Sequence, residues 1–463
     1  MKKLITFSII FVFLAAICAM SSAHAEGWKK SYHAGSFDAD WNYLRGNEMM
    51  FLTPHKGKLY AGTRMLYDAF NNTSAQIIVK ESVTSRWRLS YEAGKGNLSI
   101  DSLKSVIFTT DAEGNSLENA VAILVAGFWN FASPSHAYIA MLDESKNQWS
   151  TVDLNLSNNT SGYTTTRALG FHQDRVTGVD RVFAGVSPGG IYSGVFDQSA
   201  PGSIAWEKAP EFSGFNDRVI SFGECNGELY AAIKPAIYKR IEGQTPSWIK
   251  VYEYPLEKGW DSLSSYQGGS SGMRGLTAIQ NPQGEGEVLL MSHESPHSKI
   301  LYIDPQNNYA ATEELDLNSF LLKNWGWLKD GYNEDTGLVM NIAYDDMEPV
   351  TNPKTSEQVH LLSFCYYILP ADVRSGWYLI RHSDASYTLH EVPYIFDFRG
   401  SDKHLSAVRS IKVSPFTSDA GNIVYFAGYS PWRSRERTLL PVHNTAWIYS
   451  ADIGTVLGTA KNQ

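Results

Sequence analysis

Three features of the sequence predict an all-β fold, namely a seven-bladed β-propeller whose N-terminal strand closes the last blade. A short apolar strand with small residues recurs seven times, further strands flank each copy, and aromatic residues recur in register with them. Propeller blades are four-stranded sheets repeated around a central channel, so this pattern is typical of them. A β-sandwich is the alternative architecture.

The recurring apolar strand is predicted to be the second strand of each blade. Its seven copies are residues 59–62, 123–127, 182–185, 229–232, 288–291, 359–362 and 423–428. Their spacing corresponds to about 60 residues per unit, which suits a propeller blade with long loops.

The other strands of each blade are predicted around this one. A first strand precedes it, as at residues 49–52, 106–109, 219–222, 276–279 and 411–413. A third strand follows at residues 77–79, 138–140, 191–192, 237–238, 300–302, 377–379 and 447–449. A fourth strand opens with an aromatic residue in six copies: Trp87, Trp149, Trp206, Trp248, Tyr309 and Tyr387.

The seventh fourth strand is predicted to come from the other end of the chain. Residues 28–34 read WKKSYHA and residues 87–93, the fourth strand of the first blade, read WRLSYEA. The Trp, one basic residue, the Ser, the Tyr and the Ala match in position. We therefore expect the N-terminal segment to complete the last blade, which leaves no open sheet edge there. The alternative is a coincidental aromatic segment.

The first 25 residues have the features of a secretory signal peptide. Lys2 and Lys3 precede an apolar run over residues 4–19, and the segment ends in Ala23-His24-Ala25. The predicted organisation is a signal peptide over 1–25, a single propeller domain over 26–453 and a C-terminal tail over 454–463. The protein is expected to be exported, to the periplasm or beyond. This is the one long apolar run, so no membrane span is expected in the mature protein.

Charge and cysteine content restrict the function further. The chain has 39 Lys and Arg against 48 Asp and Glu, a net charge of −9, which argues against a general nucleic-acid binder. Cys225 and Cys365 fall in different blades, and we expect two free thiols rather than a disulfide.

The turns before Trp206 and Trp248, which read DQSAPGSIAW and EGQTPSW, resemble the sialidase repeat, although its S-x-D-x-G-x-T-W consensus is not intact here. The chain resembles bacterial repeat propellers of the kelch or sialidase-repeat kind. The resemblance is architectural and identifies no specific family.

A basic residue begins the innermost strand of six blades, and together they predict a basic ring at the channel mouth. These residues are Arg45, Lys104, Arg167, Arg218, Arg274 and Arg409. Such a ring would attract anions, and arginine can bind carboxylate or sulfate through paired hydrogen bonds. The alternative is that each arginine pairs with the neighbouring blade and has a structural role.

The loops between second and third strands lie on the same face and supply aromatic, His and Arg residues. They include Arg64, Tyr67, Trp129, His136, His293, Trp432 and His443. Flat aromatic rings beside planar hydrogen-bonding groups suit sugar rings or aromatic ligands. Alternatively, the aromatic residues fill gaps between blades.

These features predict an exported propeller that recognises or acts on an anionic glycan, or another anionic small molecule. The residues expected to bind it are Arg45, Arg167, Arg218, Arg409, Trp129, Trp432 and His443. If the protein is an enzyme, β-elimination of a uronate fits the residue types, since an arginine neutralises the carboxylate and a His or Tyr transfers the proton. The candidates for this role are Arg64, His136, His293 and Arg274, with Tyr67 as an alternative base.

Two alternatives remain at this stage. The first is a non-catalytic propeller whose face binds a protein or envelope component. The second is a metal site, since residues 293–297 match the H-E-x-x-H pattern; that pattern requires a helix, whereas Pro296 indicates a turn. No metal site is therefore assigned, and the sequence does not identify a cofactor.

Overall fold

The computed structural model describes residues 27–65, 74–132, 134–144, 146–154, 163–215, 217–256, 272–295, 297–324, 340–366, 376–395, 405–430 and 444–458. Over these ranges the fold is all-β, with two short α-helices. None of the helices in the described part of the chain is long and apolar enough to cross a membrane.

The N-terminal region contributes one strand to the last sheet and one small hairpin. The strands are β1 (Lys29–His33), β2 (Ser36–Phe37) and β3 (Tyr43–Leu44).

Three four-stranded antiparallel units follow in chain order. Sheet 1 contains β4 (Glu48–His55), β5 (Lys58–Arg64), β6 (Gln76–Lys80) and β7 (Arg88–Glu92). Sheet 2 contains β8 (Asn97–Thr110), β9 (Ser116–Asn130), β10 (Tyr138–Asp143) and β11 (Gln148–Asp153). Sheet 3 contains β12 (Thr164–Gln173), β13 (Asp180–Ser187), β14 (Gly190–Phe196) and β15 (Ile204–Trp206). A few backbone pairs at the strand ends join these three units into one hydrogen-bonded network.

The second half of the chain repeats the arrangement. Sheet 4 contains β16 (Val219–Cys225), β17 (Glu228–Ile233), β18 (Ala236–Ile241) and β19 (Ser247–Glu253). Sheet 5 contains β20 (Gly272–Gln280), β21 (Glu287–Glu294), β22 (Lys299–Asp304) and β23 (Ala310–Asp316), and helix α1 (Leu317–Asn324) follows it. Sheet 6 contains β24 (Met340–Ile342), β25 (Glu348–Thr351), β26 (Gln358–Tyr366), β27 (Gly376–Arg381) and β28 (Tyr387–Val392).

The last sheet combines strands from both ends of the described chain. Sheet 7 contains β29 (Ala407–Val413), β30 (Ile423–Tyr429), β31 (Ala446–Asp452) and, on its outer edge, β1, and helix α2 (Ile453–Gly458) follows β31. The antiparallel pairing expected between residues 28–34 and the last strand is present, with Lys29 opposite Ser450 and His33 opposite Trp447.

Trp28 is packed as the comparison with residues 87–93 led us to expect. Its side chain is 5% exposed. The indole centroid lies 5.0 Å from that of Phe426 in sheet 7 and 6.4 Å from that of Tyr378 in sheet 6. Trp28 therefore connects two neighbouring sheets through aromatic contacts.

Neighbouring sheets contact each other along their inner strands. The seven apolar segments recognised in the sequence are buried, apart from the half-buried His360 and Ile423, because each lies inside its own sheet and between two others. Hydrogen bonds of 2.8–3.2 Å also connect the inner edges of neighbouring sheets. The bonded residues are Thr53 and Leu103, Ser102 and Thr166, Leu276 and Ser221, Met347 and Thr277, Ser410 and Asp345, and Leu52 and Ser410. Apolar packing joins sheets 3 and 4 through Ala168, Phe183, Val219 and Phe222.

The two cysteines lie where the sequence places them. Cys225 ends β16 in sheet 4 and Cys365 lies in β26 of sheet 6, and both are free and buried. The prediction of two free thiols is confirmed.

Candidate functional site

The inner edge of sheet 6 is interrupted, and the interruption places Tyr344 among four other sheets. Strands β24 and β25 both pair with β26, but residues 343–347 between them leave the ladder. Ala343 adopts a left-handed φ of 47° at this point, and the Tyr344 N–H donates to the Ser363 hydroxyl at 2.9 Å. The Tyr344 ring is buried, and its centroid lies 5.8 Å from that of Phe51 in sheet 1.

Three arginines surround the Tyr344 ring. The guanidinium carbons of Arg167, Arg274 and Arg409 lie 4.3, 4.9 and 4.4 Å from its centroid. Each arginine belongs to the innermost strand of a different sheet, namely sheets 3, 5 and 7. Three of the six basic residues predicted at the innermost strands therefore converge on one aromatic ring, at distances that allow cation–π attraction.

A fourth arginine lies next to this group. Arg64, at the end of β5, is 3.9 Å from the Glu48 carboxylate, which also accepts a 3.1 Å hydrogen bond from Arg409. The Arg64 guanidinium carbon lies 5.0 Å from the ring centroid of Trp129. We refer to Arg64, Arg167, Arg274 and Arg409 as the arginine cluster.

Three buried carboxylates face the arginine cluster. Glu48 lies between Arg64 and Arg409, Asp101 lies 3.6 Å from Arg167, and Glu294 forms an ion pair with Arg274. Among the described residues, four guanidinium groups thus meet three carboxylates, so the cluster has a formal excess of one positive charge.

The pKa of Arg167 reflects this excess. Burial and repulsion from Arg274, Arg64 and Arg218 lower the pKa of the Arg167 guanidinium to about 9, although Asp101 acts in the opposite direction. Burial also works to raise the pKa of Asp101, but the charges of Arg167 and Arg64 outweigh it, so the pKa lies below the ordinary value. A bound anion would relieve the repulsion that these guanidinium groups exert on Arg167.

Two arginine donors in the cluster lack acceptors among the described residues. Arg274 Nη1 and Arg64 Nε are buried and have no hydrogen-bond partner within that part of the chain. An unsatisfied buried donor costs about 1–3 kcal/mol, more when the group is charged. A planar oxyanion such as a carboxylate or sulfate would satisfy such donors.

A central cavity of about 310 Å³ lies beside Tyr344 and Arg167. Polar and charged side chains from six sheets line it, among them Thr53, Ser102, Lys104, Arg167, Ser221, Asp345, Asp346, Glu348 and Lys412. The volume is at the lower end of the range of ligand pockets, which suits a small molecule or the end of a chain rather than a polymer.

The charges of the central cavity are mostly paired. Lys412 Nζ lies 3.1 Å from Glu348 and 3.8 Å from Asp345, and Lys104 Nζ lies 3.8 Å from Asp346. Burial, with the neighbouring charge of Asp346, raises the pKa of Asp345 despite Lys412.

The remaining basic residues predicted at the channel mouth have other contacts. Arg45 forms an ion pair with Glu92 and donates to the Ser74 carbonyl, so it contacts other strands and loops of sheet 1. The Arg218 guanidinium carbon lies 5.8 Å from the Tyr163 ring centroid.

The two histidines proposed as proton carriers do not meet the arginine cluster. His136 Nδ1 lies 2.7 Å from Asp153 at the end of β11, the outer strand of sheet 2, and its ring stacks on Tyr138. His293 stacks on Tyr254 with 4.1 Å between ring centroids, and burial lowers its pKa to about 3.

The backbone register explains the position of His293. It pairs with Met273, whereas Arg274 pairs with Ser292, and successive side chains of a strand point to opposite faces. His293 and Arg274 therefore lie on opposite faces of sheet 5. The set Arg64, His136, His293 and Arg274 is not brought together as one group; only its two arginines belong to the arginine cluster.

Tyr67, Trp432 and His443, the other residues predicted at this face, lie outside the described residues. His293 and Glu294 belong to strand β21, not to a helix, as the turn at Pro296 had indicated. In the described part of the chain, no three His, Cys, Asp or Glu side chains are placed to hold a metal ion.

The residues that sequence reasoning did not find are Tyr344 and two of the three carboxylates, Glu48 and Asp101. Glu294 was visible in the sequence as the Glu of the H-E-x-x-H pattern over residues 293–297. One feature of the sequence pointed to the part of the chain that contains Tyr344. The sixth blade, to which Tyr344 belongs, is the one predicted blade without a basic residue at its innermost strand. Residues 345 and 346, which follow Tyr344 directly, both line the central cavity.

No protein-family model matches the chain, and no curated protein matches it. Among solved structures it is similar to the NanB sialidase of Streptococcus pneumoniae, with 10% identity, a TM-score of 0.41 and coverage of 93% of this chain and 71% of that chain. It is similar to the α-L-arabinofuranosidase Arb93A of Fusarium graminearum, with 11% identity, a TM-score of 0.42 and coverage of 93% and 100%. It is also similar to PorZ, a surface component of the type-IX secretion system of Porphyromonas gingivalis, with 10% identity, a TM-score of 0.39 and coverage of 88% and 38%. These likenesses are too distant to bear on function.

Proposed function

We propose that this chain is an exported seven-bladed β-propeller that binds an anionic glycan or a small anionic saccharide. The repeated four-stranded sheets, the contacts between neighbouring inner strands and the pairing of β1 with β31 support the architecture. The apolar N-terminal run and the Ala23-His24-Ala25 sequence support export.

The arginine cluster is the proposed anion site. The observation that carries the proposal is the approach of Arg167, Arg274 and Arg409 to within 5 Å of one tyrosine ring, with fewer carboxylates than guanidinium groups around them. The carboxylate or sulfate of a saccharide would accept from Arg274 Nη1 and reduce the repulsion that lowers the pKa of Arg167. The central cavity beside it would receive the neutral part of one sugar unit.

A catalytic version of the proposal is β-elimination of a bound uronate. The observation that favours this version is the position of the Tyr429 hydroxyl, which accepts a 3.3 Å hydrogen bond from Arg409 Nη2 of the arginine cluster. A guanidinium would neutralise the carboxylate, and a neighbouring phenol would carry the proton between C5 and the leaving oxygen. His136 and His293 have no part in this version, because they lie elsewhere in the sheets.

Calorimetric titration with uronic acids, sulfated saccharides and their neutral counterparts tests the binding proposal. Removing Arg274 alone would leave the buried Glu294 unpaired and destabilise the protein. The test variant is therefore R274Q/E294Q, and its matched control is R88Q/E81Q, which removes an exposed ion pair of 2.6 Å at the rim of sheet 1.

We expect at least one anionic saccharide to bind, its affinity to fall tenfold or more in R274Q/E294Q, and the control to bind as the native protein does. Neutral sugars should not compete. Affinity that is unchanged in a folded R274Q/E294Q variant, or no binding by any anionic saccharide, would overturn the proposal. The absorbance of unsaturated uronates tests the catalytic version separately.

A further inference from the structure

A second surface, formed by the segment that precedes β4, exposes aromatic side chains. Strands β2 and β3 form a hairpin over residues 36–44, in which Phe37 pairs with Tyr43. Phe37 is 56% exposed, Trp41 80% and Tyr43 39%. We call residues 36–44 the aromatic hairpin.

The three exposed rings form one continuous surface. The Phe37 centroid lies 6.1 Å from that of Trp41 and 5.3 Å from that of Tyr43, with interplanar angles of 52° and 56°. Exposed aromatic residues in contact with each other leave a large apolar area in water, which marks an interaction site. Elsewhere in the described chain, Phe131 is the one other aromatic residue among the strongly exposed apolar side chains.

A buried carboxylate holds this surface in shape. Asp38 accepts hydrogen bonds from the backbone N–H groups of Asp40 and Asn42 and from the Asn42 side-chain amide, at 2.8–3.0 Å. It also accepts a 3.0 Å bond from the N–H of Leu89 in β7, which fixes the hairpin to the outer edge of sheet 1. Burial works against ionisation of Asp38, but these hydrogen bonds outweigh it and lower its pKa.

Trp41 is exposed although its position is costly. It has a left-handed φ of 63°, which is unfavourable for a bulky residue and persists only where the surroundings enforce it. The turn that Asp38 organises enforces it here and presents the indole to solvent. A rigid, preformed aromatic surface loses little conformational entropy when a ligand binds.

The charge of the hairpin indicates the class of ligand. Residues 36–44 contain Asp38 and Asp40 and no Lys, Arg or His, and the neighbouring Arg45 is paired with Glu92. Asp38 is buried, so Asp40 is the charge that these residues expose, and a surface without basic side chains does not attract anionic lipid headgroups or anionic polymers. The apolar C–H face of a neutral pyranose ring can stack on an aromatic ring, and its hydroxyl groups can bond to carboxylate and amide groups such as those of Asp40 and Asn42.

We propose that the aromatic hairpin is a binding surface for a neutral polysaccharide of pyranose units, separate from the anion site at the arginine cluster. The three rings stack on successive sugar units, and Asp38 sets the angle between them. The inference does not depend on the proposed function, because it uses none of the residues of the arginine cluster or the central cavity.

Affinity electrophoresis of the full mature chain tests the proposal, in native gels containing hydroxyethyl cellulose, galactomannan or arabinoxylan. The test variants are W41A and F37A, and W41F retains an aromatic ring at the same position. I249A is the matched control, because Ile249 is an exposed apolar residue, 47% exposed, on the outer strand of sheet 4. D38A leaves all three rings in place and removes the groups that organise them.

We expect at least one polysaccharide to retard the native chain, W41A and D38A to weaken this retardation tenfold or more, and W41F and I249A to retain it. The R274Q/E294Q variant should also retain it, which separates this site from the anion site. Three results would overturn the proposal: no retardation by any neutral polysaccharide, flotation with phosphatidylcholine vesicles that depends on Trp41, or concentration-dependent self-association that depends on Trp41.

Discussion

Glu48 and Arg409 form a buried ion pair, with 3.1 Å between the carboxylate and guanidinium atoms, although they are 361 positions apart in the chain. Glu48 begins the inner strand of sheet 1 and Arg409 lies in the inner strand of sheet 7. The same guanidinium contacts the Tyr344 ring of sheet 6. One carboxylate thus supports both the contact between the first and last sheets and the arrangement of the arginine cluster.

Replacing Glu48 with Gln should destabilise the protein strongly. The substitution leaves the buried Arg409 and Arg64 without their shared carboxylate, and breaking a buried pair in this way costs roughly 3–5 kcal/mol. Equilibrium urea unfolding measures the change. The exposed substitution E81Q should cost less than about 1 kcal/mol, and equal effects of the two would contradict the structural role given to Glu48.

The N-terminal strand should be required for a soluble fold. Trp28 is buried and large, and truncation of such a residue to Ala costs about 3–5 kcal/mol. W28A should therefore melt at a clearly lower temperature, whereas W41A, at an exposed tryptophan, should not. Deletion of residues 26–34 removes β1 entirely and exposes the edge of β31, so we expect aggregation on size-exclusion chromatography. A monodisperse deletion variant with native thermal stability would show that sheet 7 does not need β1.

Acid should destabilise the protein partly through His293. Its pKa is about 3 in the folded chain, against about 6.5 when unfolded, so the unfolded state binds the proton first as the pH falls. Stability is therefore lost below about pH 6.5, and the contribution at pH 4.5 is about 3 kcal/mol. The substitution H293Q should reduce the difference in unfolding free energy between pH 7 and pH 4.5 by this amount, and an unchanged difference would contradict the role given to His293.

Both thiols should react only after unfolding. Burial, with a contribution from Glu287, raises the pKa of Cys225 to about 12, and burial also raises that of Cys365. Because the thiolate is the reactive form, a native sample of residues 26–463 should react slowly with a disulfide reagent. In denaturant without reductant, two equivalents should react at once. A yield of none would indicate a disulfide and would contradict the separation of the two strands.

The repeated strands could be predicted from the sequence because their signal is local. Residues 59–62 and 288–291, for example, contain no polar side chain other than the Tyr60 hydroxyl, because each segment lies within its own sheet and between two neighbouring sheets. The match between residues 28–34 and 87–93 likewise reflects one strand environment that occurs twice. The basic residues at the innermost strands were visible for the same reason, because the repeat fixes their register.

The partners of those arginines could not be predicted, because they depend on tertiary contacts. Glu48 and Arg409 are separated by almost the whole chain, and no spacing rule relates them. Tyr344 reaches the arginines because the inner edge of sheet 6 is interrupted at Ala343, whose left-handed backbone has no signature in the sequence. His293 looked like a site residue because it lies near a loop, but the face of a strand on which a side chain lies depends on register to a single residue.

The pairing of β1 with β31 also makes the completion of sheet 7 depend on two distant parts of the chain. Lys29 pairs with Ser450, which lies 421 positions further along the sequence. The entropic cost of closing a loop rises with its length, so this pairing costs more to form than the pairing of strands that are neighbours in sequence. Until the two segments meet, the edge of β31 is open and the Trp28 indole lacks its contact with Phe426. A partly folded chain in this state exposes a strand edge on which aggregation can begin.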